Sequence, residues 1–373
     1  MTRFDLFSVT LRWLCGCWLL WRVAPVGPRR DRTDELEIAV VDRPPCSIVI
    51  PARDEARTLP KLLASLAGER APDDEVIVVD DASTDGTPAI ALEGGARVVV
   101  APPLPPDWTG KNSACWTGAH AATHDVLVFL DADTEVLPGG LDRLLADQRR
   151  HGGLLSAQPF HAVRRAYEQL SAFFNVVAMM GIDAFTPLGE RRVPSGAFGP
   201  VLVTHRADYD RVGGHASVAD QILDDVALAR RYTEAGLRVT CLGGKGTVRF
   251  RMYPDGLRHL LEGWTKNFAG GAAGTRKVSL VLIAAWISLC LEAAWGLGAA
   301  LLGGGADLGP AALIYAAVAG QVLWMLRRIG TFHPLTAAAY PIALAFFLFV
   351  FARSIFEVYV RRRVTWKGRE LAT

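Results

Sequence analysis

Between Val278 and Ala352 the only charged residues are Glu292, Asp307, Arg327 and Arg328. So long an apolar stretch must be covered, by a large protein core or by lipid. It divides into three blocks, Val278 to Leu302, Leu308 to Leu326 and Pro334 to Ala352, each near the ~20 residues that cross a hydrocarbon layer. The pattern predicts three transmembrane helices. Arg327 and Arg328 close the second, while Arg353 and Arg361-Arg362-Arg363 follow the third. Three spans put the basic tail outside if the rest is cytoplasmic, against the preference of Lys and Arg for the inner side. Either one block is re-entrant or interfacial, or that preference yields here.

The remainder is polar enough to fold in water. Over the whole chain, a mean hydropathy of +0.22 with 21% charged residues excludes intrinsic disorder and a fibrous repeat. A net charge of +2 from 40 basic and 38 acidic residues gives no reason to expect a nucleic-acid partner. The six cysteines have no zinc spacing and read as small buried hydrophobes in a reducing compartment. Near the N-terminus Leu6 to Val26 is apolar but interrupted by Arg12 and Arg22. That predicts an uncleaved anchor or an interfacial helix whose arginines snorkel to headgroups.

From Cys46 to about Arg249 short apolar runs alternate with helical stretches. Ser47–Ile50, Val76–Val79, Arg97–Val100 and Val126–Leu130 read as strands, and Thr58 to Leu66 as a helix. Continuous apolar strands separated by helices predict a mostly parallel sheet covered on both faces. Ligands of such sheets bind where strands end at their carboxyl side. The first strand is followed by Pro51-Ala52-Arg53-Asp54-Glu55, and the second ends in Asp80-Asp81-Ala82-Ser83-Thr84-Asp85-Gly86-Thr87. The fourth is followed by Asp131-Ala132-Asp133. Helix capping accounts for a Ser, Thr or single Asp at such places. It does not account for two carboxylates two residues apart, which can share a hard cation such as Mg2+ or Mn2+ and through it hold a diphosphate.

These residues, with Asp224-Asp225-Val226-Ala227-Leu228, make Cys46 to about Phe268 resemble a family-2 glycosyltransferase with the GT-A nucleotide-sugar-binding fold. Trp108-Thr109-Gly110-Lys111, Met252-Tyr253-Pro254 and Glu262-Gly263-Trp264-Thr265-Lys266 are most similar to the membrane-bound carotenoid-acid glucosyltransferases, the 4,4'-diaponeurosporenoate glycosyltransferase type. The Trp-x-Gly-Lys element is shared with hopanoid-associated relatives. The resemblance implies an α/β GT-A domain with C-terminal transmembrane helices. It further implies that Pro51, Ala52, Arg53 and Glu55 line the nucleoside pocket, and that Asp81, or else Asp80, accepts from the uracil ring. Asp131 would face the ribose, Asp133 would bind the bridging cation, and Lys111 would stabilise diphosphate charge. Asp225 would be the base. Trp264 is either a membrane-interface aromatic or a residue beside the acceptor. The sequence departs from the family in having Asp224 where Glu is frequent and in lacking Gln-x-x-Arg-Trp, which speaks against a processive polymer synthase. Ser195-Gly196-Ala197-Phe198-Gly199 lacks the Gln that many relatives place there, leaving one acceptor contact unassigned.

The expected organisation is an N-terminal anchor over 1–26, a linker over 27–45 and a catalytic domain over 46–254. An amphipathic interface helix and linker over 255–274, about three transmembrane helices over 275–353 and a basic tail over 354–373 complete it. The expected activity is inverting transfer of a hexose, glucose first, from a UDP-sugar to a membrane-soluble acceptor such as a carotenoid acid. The enzyme would sit in the cell membrane as a multi-pass protein with its catalytic domain in the cytoplasm. Polyprenyl-phosphate, hopanoid and diacylglycerol-type acceptors are the enzymatic alternatives. A non-catalytic nucleotide-sugar-binding scaffold is disfavoured by the intact set of acids.

Overall fold

Apolar runs of five to seven residues, rich in Val, Ile and Leu, form the expected strands because their side chains are buried on both faces of one sheet. A computed structural model describes residues 6–27, 43–303, 307–357, 363–366 and 369–372. Most of the linker expected at 27–45, and Arg361 and Arg362 of the tail, lie outside the described residues. The chain divides into two compact units. One comprises Met1–Val23, Ala162–Arg192 and Tyr253–Thr373, the other Ala24–His161 and Val193–Met252.

The second unit is built on β1 (Cys46–Ala52), β2 (Glu75–Asp80), β3 (Arg97–Val100), β4 (Val126–Leu130), β5 (Thr134–Val136), β6 (Leu154–Gln158), β7 (Phe160–His161), β8 (Val201–His205), β9 (Val239–Gly243) and β10 (Val248–Phe250). Seven of these form one sheet in the order β3-β2-β1-β4-β8-β6-β9, and β5-β10-β7 form a smaller one. Strands β1 to β4 are mutually parallel, as the alternation of strand and helix predicts. Strand β8 runs antiparallel to both β4 and β6. The connections reverse direction between β1 and β4, and a crevice at such a switch point is where open α/β sheets bind ligands. Pro51 helps to open it. The carbonyl of Ala52 faces β2, where it accepts from Asp81 N at 2.9 Å, so residue 51 faces β4. The last β1–β4 pair is Val49–Phe129, and a residue without an N–H cannot extend that ladder.

The first unit is helical. Leu6–Leu19 packs along Lys277–Leu301, which packs along Leu308–Ile329. The last two, with 25 and 22 residues, are long and apolar enough to cross a membrane. The third expected span differs. It is broken into Pro334–Ala338 and Tyr340–Ile355, because Pro341 cannot continue the first helix and instead starts the second. The Gly/Ala stretch Ala269 to Gly274, read as a flexible connection, is the last part of a helix running from Leu257 to Gly274. Residues 162–192, expected within the catalytic domain, belong to this unit.

Candidate active site

The loops that leave β1 and β2 are locked to each other by side chains. Asp54 N donates to Ser83 Oγ at 3.1 Å and Thr84 N donates back to Asp54 Oδ1 at 2.7 Å. Glu55 N donates to Thr87 Oγ1 at 2.8 Å, and Ser83 N to Asp80 Oδ1 at 3.2 Å. Capping and turn chemistry therefore explains Asp54, Asp80, Ser83, Thr84 and Thr87. It leaves Asp81 and Arg53, which meet across the two loops. Arg53 Nη1 donates to Asp81 O at 3.2 Å and lies 3.8 Å from Asp81 Oδ2. Asp54 and Ala82 hold φ near +53° and +54°, a left-handed conformation that costs a non-glycine residue roughly 1 kcal/mol or more. Strain is thus stored on both sides of the pair.

The second cluster gathers around Lys111. Thr109 caps the helix Gly110–Ala121, accepting from Asn112 N at 3.3 Å, and places Lys111 in its first turn. Lys111 Nζ lies 2.9 Å from Asp131 Oδ1 at the end of β4 and 3.9 Å from Asp224 Oδ2. Burial works against its charged form, but Asp131 and Asp224 outweigh that and raise its pKa. Asp131 is itself raised, by burial first, against the pull of Lys111 and with Asp224 and Glu55 adding to the rise. Asp224 and Asp225 open the helix Asp224–Glu234. Asp225 accepts from Gly199 N at 2.7 Å through one oxygen and from Val226 N at 2.9 Å through the other. Burial and then the neighbouring Asp224 push its pKa up to about 6, with Lys111 and the two N–H groups resisting. A base poised there can hold or release a proton near neutrality.

Behind this cluster His215 is fully buried, with its pKa pushed down to about 4, chiefly by burial. It is neutral, and its Nδ1 lies 2.8 Å from Tyr209 Oη. Asn112 Nδ2, also fully buried, lies 2.7 to 3.1 Å from the carbonyls of Val218, Ala219 and Gln221, the turn leading into Asp224. Neither Asn112 nor Gly199 stood out in the sequence, since one acts through backbone carbonyls and the other through a backbone N–H.

Asp133 follows Asp131 in the turn closed by Thr134, whose N–H and hydroxyl both donate to Asp131 O. Among the described residues no three His, Cys, Asp or Glu side chains gather as a metal-holding cluster. That fits Mg2+ or Mn2+ all the same, because such ions are held by one or two carboxylates plus substrate phosphates rather than by an all-protein cage. Trp264 belongs to the first unit. It is 4% exposed, stacks on Phe174 with centroids 4.7 Å apart, and donates its indole N–H to Ser171 Oγ at 3.0 Å.

Residues 47–168 match the family model for glycosyl transferase family 2. Over 328 residues the chain is 36% identical to 4,4'-diaponeurosporenoate glycosyltransferase of Staphylococcus aureus (strain MRSA252), with 87% of each chain covered. It is 37% identical over 331 residues to the protein of that name from Staphylococcus haemolyticus (strain JCSC1435), covering 87% of this chain and 88% of the other. Among solved structures it is similar to a mannosyltransferase from Pyrobaculum calidifontis in complex with GDP-Man and Mn2+. The TM-score is 0.52 at 19% identity, over 94% of this chain and 95% of that one, a likeness of fold.

Proposed function

Because the chain belongs to glycosyl transferase family 2, we propose that it transfers a hexose from a UDP-sugar, glucose first, to a carotenoid-type carboxylic acid dissolved in the membrane. The observation that carries this reading is the contact set of Lys111, Asp131, Asp224 and Asp225 at the carboxyl end of the sheet. Pro51, Ala52, Arg53, Glu55 and Asp81 would hold the nucleoside, the carboxylate of Asp81 accepting from the base while Arg53 fixes its direction. Asp131 would meet the ribose. Asp133 would hold a divalent cation, which when bound supplies positive charge to the departing diphosphate. Lys111 adds a charge that is present throughout the reaction. The acceptor oxygen attacks the anomeric carbon as the diphosphate oxygen leaves, in one displacement that inverts configuration. Asp225 orients that oxygen and takes its proton when there is one to take. The two long apolar helices support a protein of the cell membrane, which would be multi-pass with its catalytic unit facing the cytoplasm, and an apolar acceptor partitions into the same bilayer.

A hydroxyl acceptor is the second reading, favoured by the raised pKa of Asp225. An alcohol keeps its proton near neutrality, and a positioned base contributes roughly 10²–10⁴-fold to removing it. A carboxylic acid titrates near ~4–5 and arrives ionised unless burial raises it. Asp225→Asn should therefore cripple transfer to a long-chain polyene alcohol and slow transfer to the matching acid much less. Wild-type transfer to the alcohol should fall as pH drops through about 6. Near-wild-type rates of Asp225→Asn on both acceptors would reduce Asp225 to a helix cap.

A further inference from the structure

The loop 195–199, lacking the Gln expected there, raises the question of what it does instead. Its last residue binds Asp225 and leaves space beside Lys111. Gly199 N donates to Asp225 Oδ2 at 2.7 Å. A Cβ on Gly199 would lie 3.1 Å from that same oxygen and 3.1 Å from Lys111 Nζ. Its φ lies outside the left-handed region, so glycine is needed for space and not for backbone shape. The residues on either side are pinned. Phe198 is held by the fully buried Ser156 of β6, whose hydroxyl accepts from Phe198 N at 2.7 Å and donates to Phe198 O at 3.0 Å. Pro200 O accepts from Asp131 N at 3.0 Å. Further back, Cys241 Sγ donates to Gly196 O at 3.4 Å.

We infer that Gly199 is the positioning residue of this site: its N–H aims Asp225, its bare Cα admits Lys111 beside that carboxylate, and Ser156 holds it in place. The inference rests on Asp225 being the base. It gives a loop without the Gln a role of its own, since the backbone N–H fixes the direction of Asp225. Misplacing a reacting group by about 1 Å costs on the order of 10²-fold, and a methyl group here makes Asp225, Lys111 or both give by a few tenths of an ångström.

The test is a double-mutant cycle on the full-length protein in lipid vesicles, with UDP-glucose, Mn2+ and the polyene alcohol. Gly199→Ala should slow wild type by roughly 3–10-fold yet leave Asp225→Asn within about 2-fold of its own rate, because the group it misplaces is already disabled. Ser156→Ala is the second variant, independent of whether the glycine substitution folds. Loosening Gly199 weakens a hydrogen bond to the charged carboxylate, so the acid limb of the pH–rate profile should move up from about 6. The other groups facing Asp225 remain in that variant: Asp224 on its own helix, Lys111 on the helix Gly110–Ala121, and Cys241 on β9. A full rate in Asp225→Asn would overturn the base assignment and this inference with it. A crippled Asp225→Asn, with the same Gly199→Ala factor in both backgrounds or an unmoved acid limb in Ser156→Ala, would overturn this inference alone.

Discussion

Lys111 stands in the first turn of a helix, where the free N–H groups already carry partial positive charge. Stability alone disfavours a lysine there, and its pairing with Asp131 and Asp224 offsets that cost. Asp225 has the opposite problem: the helix terminus favours its charge, but burial and Asp224 oppose it. The consequence is a trade between stability and function. A carboxyl raised from 3.8 to about 6 binds its proton more tightly when folded. Its contribution to stability is full below the ordinary value and is lost as pH rises through about 6. Asp225→Asn should therefore raise the melting temperature at about pH 8, by a gain of about 1–2 kcal/mol once partial exposure is allowed for. The gain should vanish near pH 4, and thermal unfolding at the two pH values checks it. The residues that the sequence singles out are those whose side-chain chemistry is unusual at a strand or helix end, namely Asp81, Asp131, Asp133, Asp225 and Lys111, and of these the structure brings Lys111 to Asp131. Gly199, Ser156 and Asn112 were not legible, because a missing Cβ, a buried hydroxyl and a loop clamp acquire meaning only once distant segments meet.

At the scale of elements, the four early strands could be read because each is a continuous apolar run. Strands β6 and β9 could not, since Leu154–Gln158 and Val239–Gly243 mix Ser, Gln, Thr and Gly into short apolar stretches. The interruption by Arg12 leaves the N-terminal segment readable as an uncleaved anchor or as an interfacial helix. In the structure Arg12 Nη2 lies 2.5 Å from Glu292 Oε2, so the two charges that disturb their apolar surroundings pair with each other. Gly16 makes that approach possible: a Cβ there would lie 2.5 Å from Trp286 Cδ1 and 3.0 Å from Gln321 Nε2. Trp286 Nε1 in turn donates to Gln321 Oε1, and Gln321 Nε2 to Trp13 O. Gly16→Leu should destabilise the helical unit by about 1–3 kcal/mol through overpacking, lowering the melting temperature in detergent. UDP affinity, measured by calorimetry on the folded variant, should stay at its wild-type value, as the residues proposed to hold the nucleotide lie in the other unit.

At the scale of the whole molecule, two long apolar helices and an N-terminal helix with Leu6, Phe7, Leu11 and Trp18 exposed present a surface suited to lipid. A sheet whose strand ends gather acids and a lysine presents one suited to a nucleotide diphosphate. One activity that needs both is sugar transfer to a lipid-soluble acceptor, the central claim. It is tested most directly by incubating the full-length protein in vesicles with radiolabelled UDP-glucose, Mn2+ and a polyene carboxylic acid. The lipid extract is then analysed by mass spectrometry and the anomeric configuration by NMR. The account predicts one hexose per acceptor, joined through its carboxylate with configuration inverted from the donor. Label found only as free sugar across a panel of UDP-sugars, or a product that retains the donor's configuration, would contradict it.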